Sequence, residues 1–152
     1  MRIAAAVSIA LTALGCARIR QAPLAPAAQA VVPASVSVTF VAARQAIVNL
    51  GLPLQQADQA TGFLETNYVD VATFQPEASQ YPPAERAVRY RIVVTPNAEG
   101  PGSRVAIYAV YIPFANAMGD TKRNERAIPR DHPGMELVRR MMDDIKKVTG
   151  GG

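Results

Sequence analysis

His132 is the only histidine and Cys16 the only cysteine of the 152-residue chain, so imidazole or thiol chemistry has one place each to occur. His132 stands in Asp131-His132-Pro133. As a general base it would need a nucleophile and an orienting group within hydrogen-bond reach, and no spacing in the chain marks either. The plainer reading is an exposed residue at a helix start. One imidazole and one thiol leave only carboxylates to complete a metal site, so neither metal nor cofactor is expected. Asp143-Asp144 reads as a solvated pair on a charged helix face. Tyr108 and Tyr111 read as packing residues with polar tips. No Gly-rich stretch matches a phosphate-binding fingerprint. No catalytic constellation emerges, and no enzymatic activity is expected.

What remains is surface. Arg89 and Arg91 alternate with Val88, Tyr90, Ile92 and Val94, so both guanidiniums share the face opposite the apolar residues. With Arg104 they are the candidate docking face for an acidic partner or a lipid headgroup; a plain solvated strand face is the alternative. Tyr81-Pro82-Pro83 and Pro113-Phe114 place apolar groups in two long loops. Tyr81, Pro82 and Phe114 therefore join the candidate partner-binding residues, with simple disorder as the other reading.

The elements that must position these residues follow from periodicity. Val36, Phe40, Ala43, Ile47 and Leu50 form one stripe of an amphipathic helix, capped by Ser35 or Ser37 and closed by Gly51. Leu52 to Gln56 is a short extended piece, Asp58 to Gly62 a turn, and Phe63 to about Val71 a strand. Phe74 to Glu85 is a loop, Arg86 to Thr95 a half-buried strand, and Pro96 to Ser103 a turn. Arg104 to Ile112, apolar on both faces, is a central strand. After a second loop, Asp131 caps a final helix with the stripe Leu137, Val138, Met141, Ile145 and Val148. Its outer face offers Arg139–Asp143 or Arg140–Asp144 pairs. The expected fold is α+β: an antiparallel sheet of about four strands with an N-terminal and a C-terminal helix packed on one face.

Met1-Arg2 followed by the uncharged stretch Ile3 to Ala13 is too short to span a bilayer and reads as the core of a signal peptide. The stretch Thr12-Ala13-Leu14-Gly15-Cys16 resembles a bacterial lipobox. That resemblance implies diacylglyceryl transfer to the Cys16 thiol, cleavage after Gly15 and acylation, such as by palmitate, of the new N-terminus. A non-lipoprotein signal cut after Gly15 or Ala17, or an uncleaved anchor, is the competing reading. Residues 1–15 are thus expected as signal peptide and 16–34 as an Ala/Pro-rich tether of extended character. Residues 35–150 are expected as the single domain. Arg18 and Arg20 fall where headgroups would be.

Without residues 1–15 the chain keeps 15 basic and 12 acidic residues, a net charge near +3. That balance is mild, and no dense basic cluster with interleaved aromatics argues for nucleic acid.

Phe40-x-x-Ala43-x-x-x-Ile47-x-x-Leu50-Gly51, followed by Asp58-x-x-x-Gly62-Phe-Leu-Glu-Thr66, resembles the repeated domain of BamC/NlpB-type outer-membrane lipoproteins. It is similar also to small lipoproteins with one such helix-grip-like domain. The resemblance implies a non-enzymatic, lipid-anchored envelope protein that binds another envelope protein in barrel assembly or envelope maintenance. Ala17 after Cys16, where Asp is absent, implies the periplasm-facing leaflet of the outer membrane. The alternative is a periplasmic carrier holding a lipid or other hydrophobic ligand between helices and sheet. The oligomeric state is left open.

Overall fold

The computed structural model describes residues 23–76, 86–113 and 125–150. Cys16, Tyr81, Pro82 and Phe114 lie outside them. Ten elements follow in order: β1 (Ala28–Val32), α1 (Val36–Asn49), β2 (Leu54–Asp58), β3 (Phe63–Thr66) and β4 (Val69–Asp70). Then come β5 (Gln75–Pro76), β6 (Ala87–Pro96), β7 (Ser103–Tyr111), β8 (Arg126–Ala127) and α2 (Met135–Thr149).

The class is α+β with two helices and an antiparallel sheet, as expected, but the described sheet has eight strands where about four were expected. Its path runs β1-β7-β6-β3-β2, with β4 and β8 extending the pairing of β6 and β7, and β5 beside β4. Three of the additional strands, β1, β5 and β8, come from stretches read as irregular, β5 (Gln75–Pro76) from the start of the expected loop Phe74 to Glu85. β1 lies inside the expected tether and pairs Ala28 with Ile107 through to Val32 with Ser103. Its two flanking prolines, Pro26 and Pro33, fall outside the strand, so none of its paired residues lacks an N–H. β8 comes from the expected second loop and shares the same edge of β7, end to end with β1.

The expected strand from Phe63 to Val71 is broken by a one-residue bulge. Glu65 faces Arg91 and Val69 faces Val88, four steps on one strand against three on the other. At the break the Thr66 hydroxyl accepts the Tyr90 N–H at 3.1 Å, replacing a ladder bond. The parity change is what matters: Leu64 and Val69 both reach the core, which strict alternation forbids. It also leaves Glu65 on the opposite face, beside Arg91.

The core combines Leu64, Val88, Tyr90, Ile92, Val94, Val105, Ile107 and Ala109 of the sheet with residues of both helices. Phe40, Ala43, Ala46 and Ile47 come from α1, and Leu137, Val138, Met141 and Ile145 from α2. Ser35 caps α1, its hydroxyl accepting the Val38 N–H at 3.4 Å. At the other end Gly51 N–H bonds Val48 O and Leu52 N–H bonds Ile47 O, the paired bonds of a Schellman turn with Gly51 at φ +68°. Buried Ser103 and Thr39 join the start of β7 to α1 through a 2.7 Å hydroxyl bond.

α2 starts later than expected and without an acidic cap. Gly134 precedes it with no side-chain cap, and Tyr90 Oη donates to Gly134 O at 3.0 Å. Asp131, four residues before the first helical residue, does not cap it. Val148, expected in the apolar stripe, is 63 % exposed, and Met142 and Thr149 are buried in its place. Arg139 pairs with Glu136 at 2.7 Å, one turn back, in preference to Asp143.

Candidate functional site: a charge cluster on the sheet

The even-numbered residues of β6 enter the core, so Arg89 and Arg91 stand on the other face, as the alternation requires. They do not stand in water. Arg91 Nε donates to Glu65, its cross-strand neighbour on β3, and Arg91 Nη2 lies 2.7 Å from Glu125 Oε2. Arg89 Nη1 lies 3.3 Å from Glu125 Oε1 and 4.0 Å from Glu65 Oε1. Tyr68 completes the group: its hydroxyl donates to Glu125 Oε1 at 2.9 Å, and the Arg89 guanidinium sits 4.2 Å from its ring centroid. The side chains of Glu125 and Glu65 are 1 % and 4 % exposed, those of Arg89 and Arg91 12 % and 16 %.

Two cations and two anions balance within this cluster. Burial by itself would lower the Arg91 pKa, but bonds and charge from Glu65 and Glu125 outweigh it and hold the guanidinium above its ordinary value. Burial, and next the Glu125 charge, push the Tyr68 phenol well above the ordinary range. The bridging Arg91 is the only one of the four charged groups tied to both carboxylates at bonding distance. Arg89 Nε finds no hydrogen bond, which offsets part of what its other contacts contribute. A closed, neutral arrangement of this kind is weak as a docking surface, because an incoming acidic group would have to displace carboxylates already desolvated.

The candidate residues thus separate. Arg89 and Arg91 come together as expected, but as internally paired groups and not as free cations. Arg104 shares their face, yet Tyr108, not Arg104, is opposite Arg91. Four residues of strand put Arg104 about 13 Å further along. There it borders an open depression of about 250 Å³ with Gln29, Ala30 and Val31. His132 packs near Tyr111, ring centroids 6.3 Å apart, and its Nδ1 accepts the Gly134 N–H at 3.0 Å, which makes it a turn-forming residue. Among the described residues no three His, Cys, Asp or Glu side chains gather as a metal ion would require. No described helix is long and apolar enough to cross a membrane.

Glu65, Tyr68 and Glu125 were not anticipated. Glu65 had a usable signal, since an acid on a strand adjacent to Arg91 would pair once the register was known. Glu125 had none: it lies 34 residues from Arg91 in a charged run, and only the fold brings it over the sheet.

No protein-family model matches this chain, and no curated protein does.

Proposed function

We propose that this is a lipid-anchored cell-envelope protein, held through Cys16 at the periplasm-facing leaflet of the outer membrane. Its α+β domain is a non-enzymatic binding module for another envelope protein, in barrel assembly or envelope maintenance. Both helices cover one sheet face in this reading, and the contact is made by the helix layer. This reading does not use the Arg89/Arg91 face, whose guanidiniums are already paired with Glu65 and Glu125.

The observation that carries the reading is the solvent side of α1. Val38, Val41 and Val48 are 51 %, 58 % and 54 % exposed. With Gln45 they stand at spacings of 3, 4 and 3, the seam by which one helix receives another. The occupant is therefore an amphipathic helix of the partner, with an acid opposite Arg44, the one charged residue of α1. A second copy fits less well. Twofold antiparallel pairing about the seam's midpoint would bring each Arg44 against the other's. The carrier alternative is less favoured, since Phe40, Ile47, Tyr90, Ile92, Met141 and Ile145 occupy the space between helices and sheet.

Photocrosslinking in cells tests this, with the reactive residue at position 41 or at exposed Gln55 on β2. One dominant adduct at 41, lost when Val38 and Val48 are changed to Lys, is expected. No adduct at 41, or the same species at 55, would sink the reading. Intact mass of the native protein beside Cys16→Ser tests the anchor.

A further inference from the structure

The outer seam of α1 runs along the rim of a furrow. α1 and α2 pack side by side, and an open cleft of about 320 Å³ lies between them. Its floor is Ala42 and Ala46, both buried, whose single methyls leave the space that a larger side chain would fill. Gln45 and Asn49 form the α1 wall, joined by a 2.7 Å bond from Gln45 Nε2 to Asn49 Oδ1. Asp144, Lys147 and Val148 form the α2 wall. Gln45 thus belongs both to the seam and to the cleft. The helical turn per residue puts Ala42 and Asn49 on the α2 side of the seam and Arg44 on its other side. A helix seated on the seam at an axis separation of about 8–10 Å therefore lies over the cleft and reaches α2. There it meets exposed Val148, the apolar residue that the α2 core leaves out.

Both charges of the α2 wall lack a counter-charge. Asp144 is half-buried and Lys147 exposed, and among the described residues neither makes an ion pair; Arg140, one turn before Asp144, does not reach it. The Arg139–Glu136 pair lies outside the cleft, as do Arg140, Asp143 and Lys146. A carboxylate and an ammonium three residues apart on one helix are complemented by a base and an acid one turn apart on another. The α1 wall cannot complement Lys147, because α1 contains no acid.

We infer that the α1–α2 cleft and the α1 seam together seat one partner helix, and that Asp144, Lys147 and Val148 of α2 select it. This rests on the partner-helix reading of the α1 seam. On its α2-facing flank the occupant carries an acid against Lys147 and, one turn away, a base against Asp144. Its other flank carries the acid against Arg44. Its apolar face is broad enough to cover Val148 as well as the valines of α1. A second copy of this chain presenting α1 does not meet that pattern, since its α1 brings no acid to Lys147.

Photocrosslinking in cells from position 148 of the full chain, beside position 41, tests this. The same partner is expected at both. Tandem mass spectrometry of the 148 adduct should read an amphipathic segment with an acid and a base about three or four residues apart. With the reactive residue at 41, Lys147→Glu should cut the adduct about tenfold, by losing one charge pair and putting a like charge in its place. Lys147→Gln should cut it less. Lys146→Glu, the same reversal one residue away and outside the cleft, should change it less than about twofold. An adduct at 41 with none at 148 overturns the inference and leaves the α1 reading standing, whereas no adduct at 41 overturns both. Equal loss from the two lysine reversals, a captured segment without the acid and base, or a lipid or a second copy of this chain at 148 would each overturn the inference.

Discussion

Arg91 Nη2 and Glu125 Oε2 lie 2.7 Å apart, joining the middle of β6 to the residue that leads into β8. The same guanidinium bonds Glu65 across the β3–β6 ladder. One side chain thus clamps the 125–128 segment onto a sheet whose strands it also cross-links. The pairing turns two residues that read as a docking face into part of the fold's framework.

Removing that clamp should be expensive. Arg91→Ala leaves two carboxylates, 4 % and 1 % exposed, with only Arg89 between them. Breaking a buried pair from one side costs about 3–5 kcal/mol. Arg139→Ala, which loses an exposed pair on α2, should cost less than about 1 kcal/mol. Urea denaturation of both variants measures the contrast, and similar losses would mean that the cluster is not clamping.

Alkali should unfold the protein partly through Tyr68. Its phenol is held protonated by burial and by Glu125, so above the ordinary tyrosine pKa of about 10 the folded form binds more protons than the unfolded one. The stability this contributes is whole below about pH 10 and falls as pH rises further. Tyr68→Phe should lose less stability than the parent between about pH 9 and 11. Parallel curves would show that Tyr68 ionises freely in the fold.

Acid acts on Asp70 with the opposite sign. The Arg86 side chain and the Ala72 N–H hold its carboxyl below the usual range, so its contribution is present above about pH 4 and is lost as pH falls below that. In Asp70→Asn the gap in thermal midpoint from the parent should be constant near neutrality and close on acidification. A gap independent of pH would exclude this role for the carboxylate.

Gly62 and Gly51 share φ +68° but not their surroundings. A Cβ on Gly62 would lie 2.1 Å from Val94 O, whereas nothing approaches within 4 Å of one on Gly51. Gly51→Ala should cost about 1 kcal/mol of backbone strain. Gly62→Ala should cost clearly more, because the β3–β6 backbones must also part. Thermal melts of the two variants rank them, and equal costs would contradict the close approach.

A chain beginning at Ser35, the expected domain boundary, lacks β1. Val32 is fully buried in the core, and the edge of β7 from Ser103 to Ile107 would be bare. Such a chain should melt lower and self-associate through the open edge, whereas one beginning at Pro23 should not. Size-exclusion chromatography with light scattering distinguishes them; a monomeric, equally stable Ser35 chain would place β1 outside the fold's energetics.

The sequence by itself determined the parts governed by near neighbours. The α1 stripe, the Ser35 cap and the Gly51 terminus follow from contacts within five residues. The β6 alternation placed Arg89 and Arg91 on one face and Tyr90 and Ile92 on the other. The tertiary structure alone decided what depends on register and on distant chain. β1 is a strand because β7 offers it an edge; its Ala-Gln-Ala-Val-Val has no strong pattern of its own. The bulge after Glu65 is visible only against the three-residue spacing of β6. Tyr90 bonds Gly134 O, beside the start of α2, from 44 residues away. Glu125 neutralises Arg91 across 34 residues. Local periodicity could show which way a guanidinium points, but not what the rest of the chain would bring to meet it.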